Sequence, residues 1–127
     1  MNVANPRPAA TFSMLVAQII AQHCRDKGIT MADFHKKTGI SQPSWSRLTR
    51  GQTSFDIEHL KTIEQKLGIN MDKALASAKR LEIKAKKEGI KIIRPYTTQK
   101  KDDLAKLGVN IVAVAVLSFL AVQILKK

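Results

Sequence analysis

The stretch that decides the fold runs from Thr30 to Gly51 and reads TMADFHKKTGISQPSWSRLTRG. It predicts two short helices joined by a tight turn. Thr30 is a suitable N-cap for the first helix, and Asp33 lies in the first turn of that helix. Gly39 is expected to end it, since a helix commonly stops at a residue in the left-handed conformation. Ser41 is then the N-cap of the second helix, and Gly51 follows its end.

The apolar residues of this stretch predict how the two helices pack. They recur at positions that face one another across the turn: Phe34, Ile40, Trp45 and Leu48. Pro43 falls in the first turn of the second helix, where its missing N–H removes no hydrogen bond. The remaining polar side chains of the second helix, including Gln42 and Arg47, are predicted to face outward.

This pattern resembles the lambda-repressor/Cro-like helix-turn-helix family, also called the XRE family, over about residues 12–75. The second helix of the pair is similar to the recognition helix of that family. The run 55–69 resembles the helix that follows and its exit. One position departs from the pattern, because His35 stands where the family usually has a small residue, most often Ala, at a close contact between the two helices.

The rest of the bundle is predicted from hydrophobic periodicity and capping residues. Apolar residues at helical spacing indicate a first helix over about 11–27. A fourth helix is expected between its N-cap Asp56 and Gly68, and a fifth helix begins after Asn70. With the helix-turn-helix pair at residues 30–50, these elements predict an all-α, five-helix lambda-repressor-like bundle over residues 11–88.

The resemblance implies double-stranded DNA as the partner, with the second helix in the major groove. There Gln42 can pair with adenine and Arg47 with guanine, while Pro43 offers apolar contact and Ser44 can reach a base or a phosphate. Phosphate contacts are expected from residues flanking these: Lys36, Lys37, Ser46, Arg50, Gln52 and Thr53. Family members bind as dimers on paired half-sites, so a homodimer is expected.

The net charge of the chain predicts a polyanionic partner. The composition outside the bundle predicts two extensions of it. The 127-residue chain carries 22 Lys and Arg against 10 Asp and Glu, a formal charge of +12. Such a chain favours nucleic acid or an anionic membrane surface. Residues 1–10 have two prolines and no apolar run, which predicts a short flexible arm. Residues 89–106 are predicted to be a basic linker.

The end of the chain predicts a membrane anchor. Residues 107–125 contain no charged side chain, and as a helix they would span about 28 Å, close to the thickness of bilayer hydrocarbon. A single transmembrane helix is therefore predicted. Its lipid-facing residues are Leu107, Val109, Ile111, Val112, Val114, Val116, Leu117, Phe119, Leu120, Val122, Ile124 and Leu125. The alternative is a helix buried in the core of an oligomer, which Asn110, Ser118 and Gln123 would tolerate.

These observations favour a sequence-specific DNA-binding regulator, of bacterial or phage origin, tethered to the cytoplasmic face of the inner membrane. A second interpretation is a membrane adaptor that uses the bundle to bind protein, because the layout is similar to that of the bacterial rod-shape adaptor that contacts the actin-like cytoskeleton. A third is a soluble oligomeric repressor or antitoxin. No enzyme activity, cofactor or metal is expected, since the three histidines and Cys24 do not stand at ligand or catalytic spacing.

Overall fold

The computed structural model describes residues 7–95 and 108–126. Within these ranges the chain forms six helices and three short strands. The helices are α1 (Phe12–Lys27), α2 (Met31–Thr38), α3 (Gln42–Thr49), α4 (Ile57–Leu67), α5 (Met71–Lys87) and α6 (Val114–Leu125). The strands are β1 (Arg7–Thr11), β2 (Lys91–Ile93) and β3 (Val109–Ile111). The five predicted helices of the bundle are all confirmed, and α6 and the strands are additions to it.

Local capping interactions start and stop the predicted helices. The Thr30 hydroxyl accepts the Asp33 N–H at 3.1 Å, and the Ser41 hydroxyl accepts the Ser44 N–H at 3.2 Å. Gly39 ends α2 with a φ of 74°, in the left-handed region that glycine adopts without strain. The two helices of the pair therefore begin and end where the sequence predicts.

An aromatic cluster fixes α3 against the rest of the bundle. Phe34 on α2 is fully buried, and its ring centroid lies 4.8 Å from that of Trp45 on α3. Trp45 in turn lies 6.1 Å from Phe55, whose N–H donates to the Ser13 hydroxyl of α1 at 3.1 Å. Trp45 and Phe55 are half-buried, and these aromatic contacts hold α3 in one orientation, as the prediction of a packed Trp45 requires.

The strands form a parallel three-stranded sheet in the order β2-β1-β3. β1 is the central strand: Ala9 pairs with Lys91 on one side and with Ile111 on the other. Ala9 and Ala10 are fully buried. The predicted flexible arm is therefore wrong for residues 7–10, and the all-α class is wrong in detail. The two prolines of residues 1–10 argued against a strand. Residues 7–11 nevertheless form β1, because distant segments pair with both of its edges.

The predicted linker is also partly structured. Ile90 is 3 % exposed, and residues 91–93 form β2. The linker prediction is thus wrong at these positions, where a short extended segment agrees with the Ile-rich sequence. Residues 96–106 lie outside the described ranges.

The predicted transmembrane helix is not what the structure shows. The segment is divided into β3 and the 12-residue α6, which at 1.5 Å per residue extends about 18 Å, well short of a bilayer core. No helix in the parts of the chain that the structure describes is long and apolar enough to cross a membrane. Instead, α6 packs on α1 and α5, so its burial needs no second subunit.

The residues assigned to lipid are distributed between core and surface. Val109, Leu117, Leu120 and Ile124 are buried, Ile111, Val112, Val122 and Leu125 are half-buried, Val114, Val116 and Phe119 are exposed, and Leu107 lies outside the described ranges. Hydropathy measures how favourable it is to transfer a segment from water to an apolar environment, and a protein core provides such an environment as well as lipid does. The prediction failed because the sequence does not say which of the two covers the segment.

Candidate nucleic-acid interface

Helix α3 presents three of the four predicted base-reading residues to solvent. Gln42, Pro43 and Arg47 are exposed, whereas Leu48 beneath them is 1 % exposed. Pro43 and Arg47 are four residues apart and so share one side of the helix. The structure therefore brings three of the four predicted base contacts together on an open surface.

Ser44, the fourth predicted base contact, is half-buried and organises its neighbours. Its hydroxyl accepts a hydrogen bond from the Ser41 hydroxyl at 3.0 Å and another from Nη2 of Arg47 at 3.2 Å. With two bonds accepted, the Ser44 hydroxyl keeps one proton to donate. The sequence did not reveal that Ser44 positions the Arg47 guanidinium at the start of the helix.

The predicted phosphate contacts fall into an exposed group and a half-buried group. Lys36, Lys37 and Arg50 are exposed, and Ser46, Gln52 and Thr53 are half-buried. Nε of Arg50 donates to the Ser46 carbonyl at 3.4 Å, at the end of α3. The Gln52 N–H donates to the Arg47 carbonyl at 2.9 Å, which holds the turn after α3 against the helix.

A shallow cavity of about 250 Å³ lies beside α3. Its walls are formed by Ser44, Arg47, Leu48, Thr53, Ser54 and His59. Ser54 and His59 were not predicted as part of the interface, and no motif of the sequence marks them. Nδ1 of His59 lies 3.4 Å from the carboxylate of Asp56, the N-cap of α4.

His35, where the chain departs from the family pattern, is accommodated at the turn. Its Nδ1 lies 2.8 Å from the carbonyl of Ile40, and its ring meets Phe34 edge-on with centroids 5.5 Å apart. In the tautomer that carries the ring proton on Nδ1, this nitrogen donates to the Ile40 carbonyl. The larger side chain thus ties the end of α2 to the turn that leads into α3.

The interface is cationic. Within residues 7–95 and 108–126, the sole ion pair closer than 4.0 Å is that of His59 with Asp56, so Lys36, Lys37, Arg47 and Arg50 are not neutralised there by a carboxylate. Exposed cations without a carboxylate partner are suited to phosphate oxygens. The surface around α3 therefore combines exposed hydrogen-bonding side chains with exposed positive charge.

Comparison with known proteins agrees with this geometry. Residues 20–75 match the sequence model of the Cro/C1-type HTH DNA-binding domain, a range that contains α2, α3 and α4 in full. Neither curated proteins nor solved structures gave a match. Residues 20–75 thus carry the sequence pattern of a Cro/C1-type HTH DNA-binding domain, and within that range α2 and α3 form the helix-turn-helix pair.

Proposed function

We propose that this protein is a sequence-specific DNA-binding transcriptional regulator that inserts α3 into the major groove. The observation that carries the proposal is the exposed surface of α3, where Gln42 and Arg47 both face solvent on a helix that is packed against α2 through Trp45. Such a regulator works where the DNA is, in the cytoplasm of a bacterial cell.

Each side chain on this surface has a chemical role. The Gln42 amide can donate to and accept from adenine as a bidentate pair, and the Arg47 guanidinium suits guanine O6 and N7. Ser44 steadies Arg47 through the bond at 3.2 Å. Pro43 contributes apolar contact, for example to a thymine methyl group. Readout is thus concentrated in two hydrogen-bonding side chains.

The cations around α3 supply affinity that does not depend on sequence. Lys36, Lys37 and Arg50, all exposed, would bind the phosphates that flank the groove. Each phosphate contact releases counterions, so the affinity should fall steeply with salt. Removing one such contact should reduce the slope of log affinity against log salt by about 0.9.

We also propose that two copies bind together. One α3 helix reads only a few base pairs, and a pair of domains related by a two-fold axis reads two half-sites about 34 Å apart. An operator of this protein should accordingly be an inverted repeat.

The test is genome-wide DNA enrichment of the tagged full-length chain, followed by binding measurements on the sites found. Discrete peaks that share an inverted repeat are expected. Replacing Gln42 or Arg47 by Ala should cost roughly 1–3 kcal/mol and relax base preference at one position of each half-site. Arg50→Ala should weaken all sequences alike, and Lys66→Ala, an exposed cation on α4, should change neither property.

Diffuse enrichment that is unaffected by the Gln42→Ala and Arg47→Ala changes would contradict this function. The helix-turn-helix surface would then be assigned to a protein partner, as in the adaptor interpretation.

A further inference from the structure

A second surface of the molecule, formed by α5 and α6, combines exposed apolar side chains with cations. On α6, Val116 and Phe119 are 45 % and 64 % exposed, and on α5, Ile83 is 57 % exposed. Ile83 is flanked by Arg80 and Lys87, which recur at helical spacing along the same side of α5. We call this surface the α5–α6 face; it consists of Arg80, Ile83, Lys84, Lys87, Val116, Phe119 and Gln123.

The two helices are joined across a groove of about 460 Å³. Its walls are formed by Arg80, Ile83, Lys84, Lys87, Gln123 and Ile124. Nη2 of Arg80 donates to the Ile124 carbonyl at 3.1 Å, which fixes the cationic side of α5 beside α6. Gln123 lies four residues beyond Phe119 and seven beyond Val116, so the apolar residues of α6 continue the same strip of surface.

Positive charge surrounds this apolar strip. Nη2 of Arg25 lies 3.5 Å from the Ser118 hydroxyl on the other side of α6, and Lys126 follows its end. Residues 79–94 carry seven Lys or Arg against two Glu. Attraction between lysines and the C-terminal end of a helix explains the cations of the last turn of α5, but it does not explain why large apolar side chains are exposed beside them.

The positive charge of the α5–α6 face distinguishes among the partners that could bind it. A second copy would bring another chain of +12 against the same cations, and a DNA duplex would leave Phe119, Val116 and Ile83 in contact with phosphates. An anionic lipid surface satisfies both sets of side chains. Apolar groups enter the boundary between headgroups and acyl chains, while Lys and Arg extend toward the lipid phosphates.

We therefore propose that the α5–α6 face binds peripherally to the surface of an anionic lipid bilayer. The binding does not require any helix to cross the bilayer, and it uses none of the residues assigned to DNA. The membrane would hold the chain through α5 and α6 while α3 carries its own, separate set of contact residues.

Vesicle co-sedimentation of the full-length chain tests this proposal. The chain should sediment with vesicles of phosphatidylglycerol and phosphatidylcholine at a 30:70 ratio, and far less with pure phosphatidylcholine. The double change Lys84→Gln and Lys87→Gln removes two charges near the surface and should weaken binding about 30-fold. Phe119→Ser should weaken it by roughly tenfold, because the largest inserted side chain is lost.

Matched variants on α4 serve as controls. Ile57→Ser replaces an apolar residue that is 68 % exposed but lies outside the face, and Lys61→Gln with Lys66→Gln removes two exposed charges. Neither should change vesicle binding by more than about twofold. Binding of all variants to a DNA operator should stay at the level of the unmodified chain, which separates this proposal from the proposed function.

Three results would overturn the proposal. Equal sedimentation with both vesicle types would show that the charges do not act, and unchanged binding by the Phe119→Ser variant would show that the apolar strip does not insert. The third result is that the chain binds neither vesicle type, and that changing Phe119 converts a dimer to a monomer in analytical ultracentrifugation. The face would then be assigned to a second copy.

Discussion

Two serines at the start of α3 determine how Arg47, one of the side chains proposed to contact bases, is positioned. Ser41 caps the helix, and its hydroxyl also donates to that of Ser44 at 3.0 Å. Ser44 then accepts from Arg47 at 3.2 Å. A flexible arginine loses rotamer entropy when it binds a base, so holding the guanidinium in place beforehand lowers that cost. The exposed Arg47 side chain is thus positioned by a half-buried serine.

This arrangement predicts that Ser44 acts largely through Arg47. Replacing Ser44 by Ala should weaken operator binding by about 1 kcal/mol, close to the value of one hydrogen bond. In a double-mutant cycle, the effect of Ser44→Ala should nearly vanish when Arg47 is already Ala. Titration of the four variants against the operator measures this. Full additivity would instead make Ser44 an independent DNA contact.

The single cysteine allows a second prediction for one residue. Cys24 is 1 % exposed, and burial raises the pKa of its thiol, an effect that nearby Arg25 and Lys27 only partly oppose. Since the thiolate is the reactive form, the folded chain should react with iodoacetamide far more slowly than the urea-unfolded chain between pH 7 and 9. Equal rates, measured by mass spectrometry, would mean that α1 opens readily.

Among the elements, α6 differs most from what its sequence predicts. Its side chains are apolar on all sides, yet only one side packs into the core: Leu117, Leu120, Ala121 and Ile124 are at most 6 % exposed. The opposite side carries Phe119, at 64 % exposure. A helix of this length is more often a buried core helix than a membrane span, and α6 is an example with one face left open.

The two sides of α6 should respond differently to truncation. Leu117→Ala removes a fully buried side chain and should lower the free energy of unfolding by about 2–5 kcal/mol. Phe119→Ala should change it by about 0.5 kcal/mol or less, as for other surface positions. Urea denaturation followed by circular dichroism gives both values. A silent Leu117→Ala change would show that α6 does not belong to the domain core.

At the scale of the whole molecule, β1 joins β2, which follows the five-helix bundle, to β3, which precedes α6. Its position at the centre of the order β2-β1-β3 means that neither outer strand has another partner in the sheet. Ala9 and Ala10, both fully buried, also cover the bundle next to α1. The helix-turn-helix domain is therefore completed by segments from both ends of the chain.

Deletion of residues 1–10 should consequently release both β2 and β3. We expect a lower melting temperature and rapid hydrogen exchange at the amides of residues 91–93 and 109–111, because their hydrogen-bond partners are gone. Arg7→Ala, a change confined to an exposed side chain of the same strand, should retain slow exchange. If the deletion leaves exchange unaltered, the sheet does not contribute to the stability of the fold.

By itself, the sequence determined the helix-turn-helix pair, because capping serines and threonines, turn glycines and apolar spacing all act within a few residues of the structure they specify. The residues proposed to face DNA were predicted from the same local pattern. The sheet and the position of α6 were decided only by tertiary structure, since β1 pairs residues 9 and 91 and residues 7 and 109, far apart in the chain. The sequence of an apolar segment predicts that it is removed from water, but only its packing partners determine whether protein core or lipid covers it.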